Sequence, residues 1–183
     1  MTGLLVGEHY YRGGSRYDEP MSFDRKNYMA LQDLQDLHIM LLRPDVHLPD
    51  RADSSGPTRG FPLKPSDREF MRAAMAETPG ASKDPVYSEA EYSDNYSKFL
   101  APGAWKVLPR ERRTIRDKVG RAYGFSTTNS EVVDEATGRS YFLAATLYTN
   151  PNATLNDDDY AYSVADQFFE DLGEVVTRHV FLD

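Results

Sequence analysis

The stretch that decides the fold runs from Arg116 to Thr149. It opens Arg116-Asp117-Lys118-Val119-Gly120-Arg121-Ala122-Tyr123-Gly124-Phe125 and continues through Ser126-Thr127-Thr128-Asn129. Two further apolar runs follow, Glu131-Val132-Val133-Asp134 and Tyr141-Phe142-Leu143-Ala144-Ala145-Thr146-Leu147-Tyr148-Thr149. β-Branched and aromatic residues bounded by turn formers predict strands. Three such runs joined by short turns predict an antiparallel meander over about 116–149. The last run is apolar at both alternations, which predicts a central strand covered on both faces. No obvious strand is available to pair with its outer edge unless residues 4–12 do so. An unpaired apolar edge is a pairing site.

Outward from this stretch the chain turns helical. After the meander, Asn156-Asp157-Asp158-Asp159 supplies acidic and capping residues for a closing helix to about Arg178. The acidic run lacks the alternating ligands and the glycine of a calcium loop. Tyr160, Val164, Phe168, Leu172, Val175 and Val176 predict the core stripe of that helix. On the N-terminal side, Leu31, Leu34, His38, Leu41 and Leu42 recur at helical spacing, which predicts a helix over about 25–42 capped by Asp24. His38 on the apolar side reads as a satisfied core residue. The capping box Ser66-x-x-Glu69 predicts a helix with Phe70, Ala73, Ala74 and Met75 inward, ended at Thr78-Pro79-Gly80. A second box, Ser88-x-x-Glu91, predicts a helix to Leu100, closed by Pro102-Gly103. Residues 1–22 read as a loop with short strands at Leu4–Val6 or His9–Arg12. The proline-rich segment 43–64 reads as a long surface loop. The resulting fold class is α+β. Residues 1–105 form a mainly helical region with loops. Residues 106–183 form the antiparallel sheet with its C-terminal helix, as one structural unit and part of a larger domain.

Composition narrows the function. The net charge of −8 over 183 residues argues against nucleic acid as a partner, because phosphate contacts need a basic surface. The absence of cysteine removes disulfides and thiolate metal sites. With 40% hydrophobic and 27% charged residues the chain can form a packed core. The N-terminus lacks the basic and apolar regions of a signal peptide, and no run is long enough for a membrane span. His9, His38, His47 and His179 form no Ser-His-Asp or metal pattern, so neither a metal nor another cofactor is expected. Lys106, Arg110, Arg112, Arg113, Arg116, Lys118 and Arg121 make a local basic strip. It reads as a solvated edge or as an approach to a carboxylate site.

Within that strip, Asp117-Lys118-Val119-Gly120, then Tyr123-Gly124 and Thr128-Asn129, followed by two apolar strands and an amphipathic helix, resembles the C-terminal third of class A β-lactamases. The resemblance is closer to the β-lactamase-related serine hydrolases of bacterial envelopes, whose wording is similar from Tyr96-Ser97-Lys98-Phe99 to Asn156-Asp157-Asp158. It is good over about 90–178 and weaker over 24–89. It implies a β-lactamase/transpeptidase-like fold and a periplasmic or extracellular place. It also implies acyl-enzyme hydrolysis of a lactam, amide or peptide that carries a carboxylate. By resemblance Lys118 holds the carboxylate and biases nearby protons, and the backbone N–H of Arg121 is an oxyanion-hole donor. Val119, Gly120 and Tyr123 contact substrate. Val119 replaces the β-lactamase threonine and removes a hydroxyl that would bind the carboxylate. No serine has lysine three residues on; Ser22 comes nearest, with Arg25, which cannot serve as a base. The nucleophile is therefore expected outside this chain, which alone is expected to be inactive. Expected partners are the missing N-terminal part or a second copy at the sheet edge. Ser93-Asp94-Asn95 spells the family's Ser-Asp-Asn motif, but a mid-helix position so close to Lys118 reads as coincidence. The alternative function is a non-catalytic binding module that uses the basic strip 110–121 and the exposed sheet edge.

Overall fold

A computed structural model describes residues 3–46, 48 and 61–182. His47 and most of the proline-rich segment lie outside the described residues. The fold is α+β. Its centre is an antiparallel sheet of β5 (Arg113–Asp117), β6 (Gly120–Ala122), β7 (Phe125–Asp134) and β8 (Arg139–Tyr148). Both β5 and β6 pair with the same edge of β7. Arg113 faces Asp134, Asp117 faces Ser130, Gly120 faces Thr127 and Ala122 faces Phe125. The register never slips across Lys118 and Val119, so residues 113–122 behave as one strand along β7. A two-residue turn then reverses the chain. Tyr123 and Gly124 both take positive φ, 55° and 83°, the geometry whose twist suits a tight hairpin.

β7, not β8, is the central strand. β8 pairs along its whole length with β7, and among the described residues its other edge meets no strand. The doubly apolar pattern of β8 thus belongs to an edge. Residues 4–12 do not cover it, because β1 (Leu5–Val6) pairs with β4 (Met21–Ser22) and β2 (His9–Arg12) pairs with β3 (Ser15–Tyr17) and, in parallel, with β9 (Thr154–Leu155).

The helices differ from the expected ones in informative ways. α1 spans Leu31–Leu42 without a side-chain cap. Asp24 does not cap it; its carboxylate accepts the N–H of Leu4 at 2.8 Å and ties the chain's start to β4. His38 is buried edge-on against Phe142, and neither ring nitrogen meets a hydrogen-bond partner. It is buried without a hydrogen bond of good geometry among the described residues, and burial pushes its pKa down. α2 spans Pro65–Ala76, with proline in its first turn and Asp67 accepting the N–H of Lys64 at 3.3 Å. The expected apolar face of α2 is turned outward, and Phe70 is 70% exposed. Its inner face instead carries Arg68 and Arg72, whose guanidiniums donate to the free C-terminal carbonyls of α1, Met40 and Leu42 among them.

The second capping box opens only turns, with Tyr92 N–H donating to Ser88 C=O at 2.8 Å and Tyr96 N–H to Ser93 C=O at 2.8 Å. Ser93, Asp94 and Asn95 compete for backbone groups and favour turns over a helix interior. Pro102-Gly103 opens a helix rather than closing one, because proline fits the first turn. α3 runs Ala101–Val107. The closing helix α4 begins later than the acidic run and spans Tyr162–Leu182. Its buried face is Ala165, Phe169, Gly173 and Thr177, one position on from Val164 and Phe168, which are 57% and 39% exposed. Small residues choose this face. A Cβ on Gly173 would collide with the carbonyl of Leu100, and one on Gly103 with the backbone of Glu170 and Glu174. α3 and α4 thus touch backbone to backbone over the sheet face that holds Ile115, Val132 and Tyr141. No helix among the described residues is long and apolar enough to cross a membrane.

Close approach at that crossing leaves no room for a methyl group. Gly173→Ala is expected to lower unfolding stability by about 1–3 kcal/mol, the usual cost of overpacking a tight contact. Urea denaturation checks this, and an unchanged midpoint contradicts it.

Candidate functional site

The edge of β5 and β6 that faces away from β7 is the chemically distinctive surface. Antiparallel pairing alternates, so every second residue turns its backbone groups toward the partner strand. Lys118 N–H donates to Asn129 C=O at 2.9 Å, and Glu135 N–H to Arg112 C=O at 2.7 Å. Even-numbered residues therefore face β7. The N–H and C=O groups of Ile115, Asp117, Val119 and Arg121 point outward. A cleft of about 530 Å³ lies along this edge, walled by Val119, Gly120 and Arg121 on one side and by Asn95, Tyr96 and Ser97 on the other.

The two walls are tied together beneath the cleft. Lys98, 3% exposed, follows Ser97 directly. Its ammonium donates to Met75 C=O at 2.9 Å and Ile115 C=O at 3.0 Å, and meets Asp117 Oδ1 at 3.2 Å. All three of its protons are used. Asp117 precedes Lys118 and shares an inward face with Ile115. Its second oxygen has no partner. Burial pushes the Asp117 carboxyl up to about 6, against the opposing pull of Lys98 and Lys118.

The basic strip is largely neutralised from within. Arg112 donates to Asp134 at 2.6 Å and holds its carboxyl down at about 2. Arg116 pairs with Glu131 at 2.9 Å, both side chains nearly dry. Arg121 pairs with Asp166 and lies over the rings of Phe99 and Tyr162 at 4.6 and 4.9 Å. Lys106 reaches Glu170 and Glu174. Arg110 is 3.9 Å from Asp94. Arg113 stacks on Trp105 at 4.7 Å and donates to Leu108 C=O. Lys118 differs. Among the described residues its exposed ammonium meets neither acid nor ring, and it folds back onto Val119 C=O at 2.7 Å. Because that carbonyl points outward, the ammonium sits at the open edge beside the cleft.

Of the residues singled out in sequence, Val119, Gly120 and Arg121 line the cleft, and Lys118 stands at its margin. Gly120 faces open space, since a Cβ there would meet nothing within 4 Å. Tyr123 is elsewhere. Its hydroxyl accepts from Lys26 at 2.7 Å and its ring packs edge-on against Phe23. Ser93-Asp94-Asn95 is not mid-helix. It forms a turn in which Ser93 Oγ donates to Asn95 Oδ1 at 2.8 Å, and Asn95 faces Val119–Arg121 across the cleft. Sequence reasoning missed the Lys98–Asp117 pair. The available signal was alternation, which puts an acid at 117 on the same inward face as Ile115, where a carboxylate needs a cation. Neither a protein-family model nor a curated protein nor a solved structure matches the chain.

Removing one partner from a buried ion pair leaves the other stranded. Lys98→Met is expected to cost roughly 3–5 kcal/mol in urea unfolding, with partial recovery when Asp117→Asn is added. No recovery in the double variant contradicts the pairing. Titration of Asp117 gives a second measurement. The unfolded chain loses this proton near the ordinary carboxyl value of roughly 4, while the folded chain keeps it to about 6. Between those values the folded state binds more protons, so this group's contribution to stability falls as pH rises. The stability of the wild type minus that of Asp117→Asn is expected to drop by on the order of 2–3 kcal/mol from pH 4 to 7. A difference that is flat or rises over that range contradicts the assignment.

Proposed function

We propose that the chain forms the Lys-x-Gly wall of a β-lactamase-related serine hydrolase site of the bacterial envelope, with a β-lactamase/transpeptidase-like fold. The nucleophilic serine lies outside these residues. The observation that carries this reading is the placement of Lys118. In an acidic chain whose other strip cations have partners, it keeps an exposed ammonium at an open strand edge. A carboxylate on a lactam or peptide accepts from Lys118 Nζ in place of Val119 C=O. The outward N–H of Arg121 is placed to receive a carbonyl oxygen as it gains charge. Gly120 leaves space for the substrate backbone, and the Asn95 side chain across the cleft offers amide hydrogen bonds. Attack on the carbonyl needs a serine with a base beside it, and no Ser-x-x-Lys occurs in the sequence. The binding-module alternative needs a free basic strip, and the internal ion pairs of Arg112, Arg116 and Arg121 leave little of one.

Two experiments test this. Incubation with a fluorescent penicillin followed by denaturing electrophoresis is expected to give no labelled band from this chain; a covalent adduct refutes the missing-nucleophile part. Titration with N-acetyl-dialanine, monitored by amide chemical shifts, is expected to move Lys118, Gly120 and Arg121. Its C-terminal amide, or the variant Lys118→Ala, is expected to bind about fivefold to tenfold more weakly. Equal binding of acid and amide removes the carboxylate-holding role of Lys118.

A further inference from the structure

A second groove continues from the cleft on the side away from Lys118, and the two meet at Tyr96 and Ser97. It has a volume of about 440 Å³ and is lined by Tyr87, Tyr92, Tyr96, Glu77 and Asp84 among others. The three tyrosines form an unbroken ladder. The rings of Tyr87 and Tyr92 are 5.1 Å apart and inclined at 61°; those of Tyr92 and Tyr96 are 4.9 Å apart at 71°. Tyr87 is 40% exposed and Tyr96 58%. The ring pairs contribute to the fold, and the parts of Tyr87 and Tyr96 that stay in water remain available for a ligand. Among the described residues neither the Glu77 nor the Asp84 carboxylate has a hydrogen bond or ion pair, and no lysine or arginine lines the groove. The segment 77–97 carries Glu77, Asp84, Glu89, Glu91 and Asp94 against Lys83 alone.

Aromatic faces beside unpaired carboxylates favour a cation. A ring face attracts positive charge through its quadrupole, and the attraction grows where the cation is partly desolvated. A guanidinium suits this groove better than an ammonium. Its plane stacks on a tyrosine while its N–H fork still reaches a carboxylate. The same acidic surface repels phosphates. A sugar would stack on the ring faces and donate its hydroxyls to the acids, but being neutral it would gain nothing from their charge. We propose that the tyrosine ladder with Glu77 and Asp84 is a docking groove for an extended peptide segment bearing arginine. The proposal does not rest on the Lys118 reading, because the acids and the tyrosine ladder it uses lie outside the Lys-x-Gly edge.

The probe is the peptide Ac-Gly-Arg-Pro-Arg-Gly-amide, whose blocked ends remove any carboxylate for Lys118. Isothermal titration at low salt is expected to show saturable binding. Replacing both arginines by citrulline is expected to weaken it about fivefold or more. The double variant Glu77→Gln/Asp84→Asn alters two exposed side chains and leaves the fold intact; it is expected to weaken binding similarly, as is Tyr92→Leu. No saturable binding, equal binding of the citrulline peptide, or indifference to the double variant overturns the proposal. So does preference for a neutral chito-oligosaccharide over the arginine peptide, which would give the ladder to a sugar.

Discussion

The buried contact between Lys98 and Asp117 is the constraint on which the site depends. Lys98 lies between Ser97 and Phe99, on a segment built of turns, and Asp117 ends β5 just before Lys118. Turns with few internal hydrogen bonds do not hold a position by themselves. The ammonium fixes this one by donating to three acceptors on two elements at once: Met75 C=O at the end of α2, and Ile115 C=O and the Asp117 carboxylate on β5. The Ile115 carbonyl belongs to a strand edge that no other strand covers among the described residues, so a lysine does there what a neighbouring strand would do. That interaction stops short of Val119, and the edge beyond it is left open. The ion pair both joins the walls of the cleft and marks where the strand becomes available.

Packing on the same face of the sheet supports the arrangement. α3 approaches α4 closely only because Gly103 and Gly173 face each other's backbones. This puts Leu100 against Phe169 and Ala165 in a dry cluster. The segment carrying Lys98 is therefore anchored from below by apolar contact and from within by charge. β7 threads between the layers with Ser126, Thr128 and Ser130 fully buried on one face. Such residues are tolerated inside because they find partners. Thr128 and Ser130 bond each other at 2.9 Å, and Ser126 accepts from Arg121. Arg121 is thereby held by Ser126, Asp166 and two rings, which fixes the strand from which its outward N–H projects.

Much of this was legible in the sequence, and the failures have physical causes. The meander was readable because its turns carry their own signals, Tyr-Gly at the first and Thr-Gly before β8. The exposed face of α2 and the one-residue offset of α4 were not readable, because apolar periodicity records the width of a stripe and not what meets it. Arginines that cap the end of α1 outcompeted Phe70 for the inner face of α2, and small residues outcompeted Val164 and Phe168 at the crossing with α3. β8 read as central because both its alternations are apolar, whereas pairing partners are set by the whole chain. Val119, Gly120 and Arg121, singled out by their motif, line the cleft. Asn95 was not legible, because a capping-box reading had placed it inside a helix. Tyr123 shares the motif's wording but serves the hairpin turn and Lys26.

Lys118 acquires its meaning from the charges around it. The chain's net charge of −8 gives a long-range field that disfavours an approaching anion. That field is screened over roughly 8 Å at physiological ionic strength. Within this distance the local pattern dominates, and pairing has removed most competing positive charge. A paired arginine offers an anion little, because its charge is already compensated by its carboxylate partner. An ammonium resting on one carbonyl gives up a single hydrogen bond to a neutral acceptor to take a carboxylate, and the bond in which both partners are charged is the stronger of the two. On the proposed reading, selectivity for a carboxylate at this edge would follow from the neutralisation of the other cations and not from an accumulation of positive charge. For the same reason an acidic protein can hold an anion at one point while the remainder of its basic strip serves the fold.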